Sequence, residues 1–345
     1  MSGFEKRKME AYCGDLEQLF SIREQVLMEG KAKGTRAYHM RNGQGLELMA
    51  LPDKSFTIPE LYFKGVNVGF LSKSGICAPE FYQEEGVRGF LRNFEAGFLT
   101  ICGLTYMGAP FEEDGQKYGL HGAISNAPAQ HTYSRIVWEK EVPWIEFGGV
   151  IREAHLFGPN LRLHRKFRIS TVENKILITD TVENLAFEKS PLMLLYHFNF
   201  GYPMLDESCK IYSNMDLIKA RDKENEEKIA ESSQFCPPIK GFKEEVFMRY
   251  CTDENEEIGK VSLHNENKNM AVSILFNLDE LPVLNIWKNP RAGDYTLGLE
   301  PGTCHVGGKK KVEADKQLPW IEAGETKEMK IEIQFQENVI VNDLK

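Results

Sequence analysis

The chain has 345 residues, of which 42% are hydrophobic and 27% charged, the proportions of a globular protein with ample material for a core rather than of a disordered one. Asp and Glu total 51 against 42 Lys and Arg, a net charge of −9, so the global field repels a polyanion and nucleic acid is not an expected partner. The opening MSGFEKRKMEAYCGDLEQLF lacks the apolar run of a signal peptide and no later stretch reaches the roughly 20 apolar residues of a membrane helix, so a cytoplasmic protein with no membrane contact is expected.

The best helical signal comes first. Residues 15–28 open with an Asp15–Gln18 capping box followed by Leu16, Leu19, Phe20 and Leu27, which predicts a helix in competition with a strand starting near Phe20. From residue 35 onward, Gly, Asn, Asp and Pro punctuate roughly every ten residues between short runs of β-branched and aromatic side chains, the rhythm of a sandwich or barrel. The clearest strand is 160–169. There Leu161, Leu163, Arg165, Phe167 and Ile169 share one face, and Arg162, His164, Lys166 and Arg168 share the other.

Residues 175–182 repeat that alternation, so 147–184 reads as a meander of three antiparallel strands. The charged run 218–232, IKARDKENEEKIAES, has no apolar period and predicts a solvated loop. Further strands are expected at 190–200, 270–276, 295–299 and 329–335, with a frayed polar tail after the last. Seven cysteines are scattered singly with no C-x-x-C pair, the pattern of reduced, mostly buried thiols. No repeat or low-complexity linker divides the chain, and the periodicity and turn spacing make it all-β.

Three segments read as more than scaffold. His121 sits in LHGAISNAPA, where glycines let backbone and ligand approach closely. His197 lies inside the apolar strand LLYHFNFGYPML, where it is either a core histidine satisfied by a backbone carbonyl or an imidazole tuned for proton transfer. Glu300 ends the apolar run of LGLEPGT, a place where a carboxylate is rarely left without a reason; a structural salt bridge is the alternative. Trp287 and Lys288 shortly before it are either core and solvent residues or lining of the same cleft, the tryptophan by stacking on a ligand and the lysine by contact with an acidic substituent. His305 is a weaker extra candidate.

In order, these segments resemble the aldose 1-epimerase or galactose mutarotase superfamily. LHGAISNAPA is similar to its histidine loop, LLYHFNFGYPML to its second-histidine strand and LGLEPGT to its catalytic-glutamate strand. GDLEQLF, NGQGLELMALPD, LSKSGICAPEFY and FEAGFLTICGLTYMG extend the likeness, nearest to the bacterial aldose-epimerase-like branch, over nearly the whole chain.

The resemblance implies one large antiparallel β-sandwich domain, the galactose mutarotase-like supersandwich, over residues 10–338. It implies an aldose 1-epimerase acting on a monosaccharide or sugar acid, with Glu300 as base on the anomeric hydroxyl, His197 as acid at the ring oxygen and His121 assisting. Arg92 would be the sugar-binding arginine; the carboxylate that grips ring hydroxyls in some relatives matches no motif here. No cofactor and no metal is required by this scheme, and the sequence has no H-E-x-x-H, close-spaced Cys/His cluster or EF-hand loop. Two alternatives stand beside it: a non-catalytic carbohydrate-binding or sensing protein, and an isomerase or lyase of acidic sugars with Arg92 and Lys288 holding the anionic group.

Overall fold

The computed structural model describes residues 6–113 and 115–344. Two large antiparallel sheets face each other. The first has eleven strands and runs from Ser21–Val26 at one edge, through Thr57–Phe63, Leu99–Cys102, Leu195–Gly201, Asp294–Gly302, Val283–Arg291 and Glu245–Tyr250, to Leu217–Ala220 at the other. The second has eight strands, built on the consecutive hairpins Gln130–Glu139, Val142–Ala154, Asn160–Ser170 and Lys175–Asn184 and continued by Thr326–Glu337, Met270–Asn277, Ile258–Asn265 and Cys209–Ser213. No helix among the described residues is long and apolar enough to cross a membrane.

Period-2 alternation builds the core. Phe147 of the second sheet meets Tyr38 of the first and Phe56 in the turn leading into Thr57–Phe63 at ring separations of 6.1 and 6.0 Å, and Phe335 meets Phe63 and Phe98 at 5.7 and 5.9 Å. Such contacts fix strand register, because a one-residue slip would turn every inward ring outward. The meander expected over 147–184 is present, its outer strand extended back to Val142.

Several expectations are corrected. Asp15 does cap a turn, its carboxylate accepting the Glu17 N–H at 2.9 Å, but the turn is a 3-10 segment of Leu16–Gln18 and the chain then enters the Ser21–Val26 strand. Pairing of that strand with Arg36–Arg41 prevails over a short local helix. A helix unforeseen in the sequence spans Lys6–Tyr12. Residues 218–232 are not a solvated loop: Leu217–Ala220 is an edge strand, Lys223–Glu231 a 3-10 segment, and Asn225 and Ser232 are buried. After Phe335 the strand continues to Glu337, and Leu344 is fully buried with its carbonyl accepting the Ser262 hydroxyl at 3.3 Å. All seven cysteines are free, four of them buried.

Candidate active site

Along the central strands of the eleven-stranded sheet, Phe198, Phe247, Ile286 and Leu299 point into the core. Their neighbours His197, Val246, Trp287 and Glu300 point the other way, into a cleft of about 630 Å³ on the outer face of the sheet. The helix Gly86–Asn93 and residues 106–110 and 306–311 cover it. The helix presents Val87, Phe90, Leu91 and then Phe94 at i, i+3, i+4 and i+7, the spacing of one helical face. Phe90 packs on the His121 ring at 5.1 Å and Phe94 on the His197 ring at 5.2 Å. Two phenylalanines therefore desolvate two imidazoles.

His121 enters from a strained turn with φ of +60°, a conformation that a non-glycine residue adopts at a cost. Its N–H donates to the Gly108 carbonyl at 3.0 Å and its carbonyl accepts the Gly103 N–H at 3.1 Å. Gly122 follows at φ +73°, where a Cβ would stand 2.7 Å from the Gly103 carbonyl oxygen, so only glycine closes this turn. The Gly108 N–H points at His121 Nδ1 at 3.4 Å, which leaves the proton on Nε2.

His197 Nε2 and Glu300 Oε1 lie 3.1 Å apart, both residues buried. The contact is not aligned as a hydrogen bond, and His197 Nδ1 and Glu300 Oε1 have no hydrogen-bond partner, so both buried residues keep unused hydrogen-bonding capacity. Room for the carboxyl comes from Gly298, two residues back on the same strand face. A Cβ there would lie 2.2 Å from Glu300 Oε1. Gly298→Ala is accordingly expected to push the carboxyl off His197 with the fold retained, as judged by a crystal structure of the variant and circular dichroism.

Burial governs the protonation states. It pushes the Glu300 carboxyl well above the usual carboxylate range, reinforced by Glu244 and opposed by Arg221. Burial likewise drives His197 well below an ordinary histidine, helped by His121 and opposed by the Asn199 side chain, and lowers His121 to about 4, with Arg221 adding to the effect. The unfolded chain takes up the His121 proton near pH 6.5 and the folded chain only near 4, so this residue makes stability fall as pH drops through that window. His121→Gln should flatten the decline in melting temperature between pH 6.5 and 4 relative to the wild type, in a pH series of thermal melts.

Of the seven side chains singled out in the sequence, His121, His197, Glu300 and Trp287 line this cleft. Trp287 stands edge-on to His197 at 5.5 Å. Glu300 is not at a strand end: it sits within Asp294–Gly302 and is 2% exposed. Arg92 does not reach the cleft. It follows Phe90 by two positions, which turns it off the cleft-facing stripe, and it pairs with Glu85 at 2.7 Å in a half-exposed setting. Lys288 is also outside. Its parity is opposite to that of Trp287, and its ammonium donates to the Glu231 carbonyl at 3.1 Å and stands 3.8 Å from Glu245 on the inner side of the sheet. His305 pairs with Asp315 at 3.1 Å and accepts the Gly307 N–H at 3.1 Å, which fixes the 306–311 segment rather than the cleft floor.

Arg221, Asp222, Glu244 and Lys311 line the cleft without having been singled out. For Glu244 a signal existed: it shares parity with Val246 in KEEVFMRY, so whichever face Val246 takes, Glu244 takes too. For Arg221 there was none, because its charged run has no period. Among the described residues, no group of three or more His, Cys, Asp or Glu is placed to hold a metal ion.

Comparison with curated proteins returns no match. Among solved structures, a provisionally assigned aldose 1-epimerase of Klebsiella pneumoniae superposes with a TM-score of 0.87 at 24% identity, over 93% of this chain and 86% of that one. A galactose mutarotase-like protein of Clostridium acetobutylicum gives 0.64 at 16% identity over 93% and 99%. The galactose 1-epimerase of Lactobacillus acidophilus gives 0.58 at 12% identity over 93% and 100%. The fold is thus the galactose mutarotase-like β-sandwich. Residues 32–335 match the family model for a domain of unknown function, DUF4432, and with most of its length covered the chain belongs to that family.

Proposed function

We propose that the protein is a sugar isomerase of the aldose 1-epimerase type, interconverting the anomers of a monosaccharide by acid–base chemistry at Glu300 and His197. The observation that carries this reading is the 3.1 Å approach of His197 Nε2 to Glu300 Oε1 in a cleft, with open hydrogen-bonding capacity on both residues. The names of the solved structures with this fold agree with it.

The proton accounting is simple. Opening the ring requires one proton to leave the anomeric hydroxyl and another to reach the ring oxygen. Glu300 as carboxylate takes the first and His197 as imidazolium gives the second, leaving a carboxylic acid beside a neutral imidazole. Rotation about C1–C2 and the reverse transfers close the ring on the other face.

The ionised and neutral forms of the pair thus differ by one proton passed through the sugar, and the neutral form favoured by burial is the one that accompanies the open-chain aldehyde. His121, neutral with its proton on Nε2, donates a hydrogen bond without exchanging a proton. A non-catalytic sugar binder has no need for two buried, unpartnered titratable groups in contact. The test is to follow freshly dissolved single anomers by polarimetry or NMR. Equilibration proportional to protein concentration supports the reading, and no acceleration across neutral and acidic sugars overturns it.

A further inference from the structure

The cleft wall contains a charge arrangement that bears on which sugars enter, an inference that rests on the isomerase reading above. Arg221 donates from Nε to Asp222 Oδ2 at 2.9 Å, and its Nη2 reaches Asp222 at 2.8 Å and Glu244 Oε1 at 3.1 Å. The remaining Glu244 oxygen accepts the Trp287 indole N–H at 2.8 Å. Asp222, Arg221, Glu244 and Trp287 are therefore one locked array, and both Glu244 oxygens are spent within it.

Two consequences follow. The guanidinium is planar with donors in fixed directions, and with Nε and Nη2 engaged, Nη1 is left with no hydrogen bond or ion pair among the described residues. It is a pre-oriented donor in the cleft lining. The charge is the second consequence. One guanidinium stands against two carboxylates, so the array by itself is net negative and offers an anionic substituent no uncompensated positive charge at Arg221. The other lining cation, Lys311, is exposed and has no partner among the described residues, whereas its neighbours Lys309 and Lys310 are tied to Glu113 and the Glu112 carbonyl.

We propose that Arg221 determines the specificity of the cleft: through Nη1 it holds an oxygen of a neutral sugar, while Asp222 and Glu244 cancel its charge and turn away sugars bearing a carboxylate, phosphate or sulfonate. Asp222 and Glu244 act through the arginine as positioning residues. The edge strand Leu217–Ala220 and the segment after it, a part of the sequence with no recognisable pattern, supply the residue that reads the substrate.

The test compares kcat and KM on single anomers of neutral hexoses, hexuronates and hexose 6-phosphates, with calorimetric binding of the same sugars. Arg221→Gln is expected to raise KM for the neutral sugar about 10- to 100-fold with a smaller change in kcat, the loss of one hydrogen bond to a charged donor. Asp222→Asn removes one negative charge and leaves the arginine in place. It is expected to raise the ratio of kcat/KM for uronate over neutral hexose by about tenfold or more.

Preference of the wild type for an acidic sugar overturns the inference, as does an Asp222→Asn ratio equal to that of the wild type. Both leave the isomerase reading standing. If no sugar is turned over, that reading fails, and calorimetry decides the inference alone. Neutral-sugar binding that is lost in Arg221→Gln supports it, and wild-type binding of acidic sugars only, or of none, refutes it.

Discussion

Asp180→Ala is expected to destabilise the protein by about 3–5 kcal/mol, the cost of leaving a buried charge without its partner. Arg165 and Asp180 face each other across the Asn160–Ser170 and Lys175–Asn184 strands, with Nε and Oδ1 3.3 Å apart and both side chains wholly buried between the sheets. Tyr196 donates to Asp180 Oδ2 at 2.7 Å, and Arg165 Nη1 donates to the Ser55 carbonyl at 2.8 Å. Burial raises the Asp180 carboxyl while Arg165 and the Tyr196 hydroxyl pull it back.

Removing the carboxylate strands a guanidinium in the core and leaves the Tyr196 hydroxyl without its acceptor. It also loosens the support of Ser55 and Phe56, which hold left-handed conformations with φ of +50° and +59°. Chemical denaturation of Asp180→Ala measures the loss. The double variant Arg165→Met, Asp180→Leu should recover most of it, because a well-packed apolar pair does without the desolvation of two charges. If the double variant were as unstable as the single one, packing and not the stranded charge would be the cause.

Arg165 also shows what a sequence can and cannot convey. Alternation placed it on the same face as Leu161, Leu163, Phe167 and Ile169, the inner face, and that placement holds. What the pattern lacked was its partner, since Asp180 sits in a strand where Ile178 and Val182 mark the same face but nothing local ties the two charges together. Strand parity is a local property, and it was legible wherever alternation was strong.

The same limit explains the cleft. Glycine-flanked His121, the apolar setting of His197 and the acid in LGLEPGT are local anomalies, and each could be seen without knowing the others. Arg92, the sugar-binding arginine that the resemblance implies, and Lys288, near Glu300 in sequence, miss the cleft on geometry that is itself local: helical phase for one and strand parity for the other. Arg221 belongs to the non-local remainder. It comes to the cleft because Leu217–Ala220 pairs at the edge of the sheet with Glu245–Tyr250, a pairing between segments about 30 residues apart that no periodicity in the charged run announces.

Glu300→Gln should abolish most turnover and yet strengthen the fold at neutral pH. Glutamine keeps the volume and the hydrogen-bonding reach of the side chain but cannot accept the anomeric proton, so kcat is expected to fall about 10²- to 10⁴-fold with little change in KM. The stability effect follows from burial. With its folded-state pKa raised well above 4.5, Glu300 binds a proton in the folded chain that the unfolded chain has already released. Its contribution to stability is therefore present below pH 4.5 and is lost as pH rises towards the folded value. Glutamine carries no such penalty, so the melting temperature of the variant should exceed that of the wild type by a margin that opens above about pH 4.5. An opposite result, a variant less stable at pH 7, would mean that Glu300 is ionised and paired with a protonated His197 in the free protein, with the pair serving as a structural salt bridge.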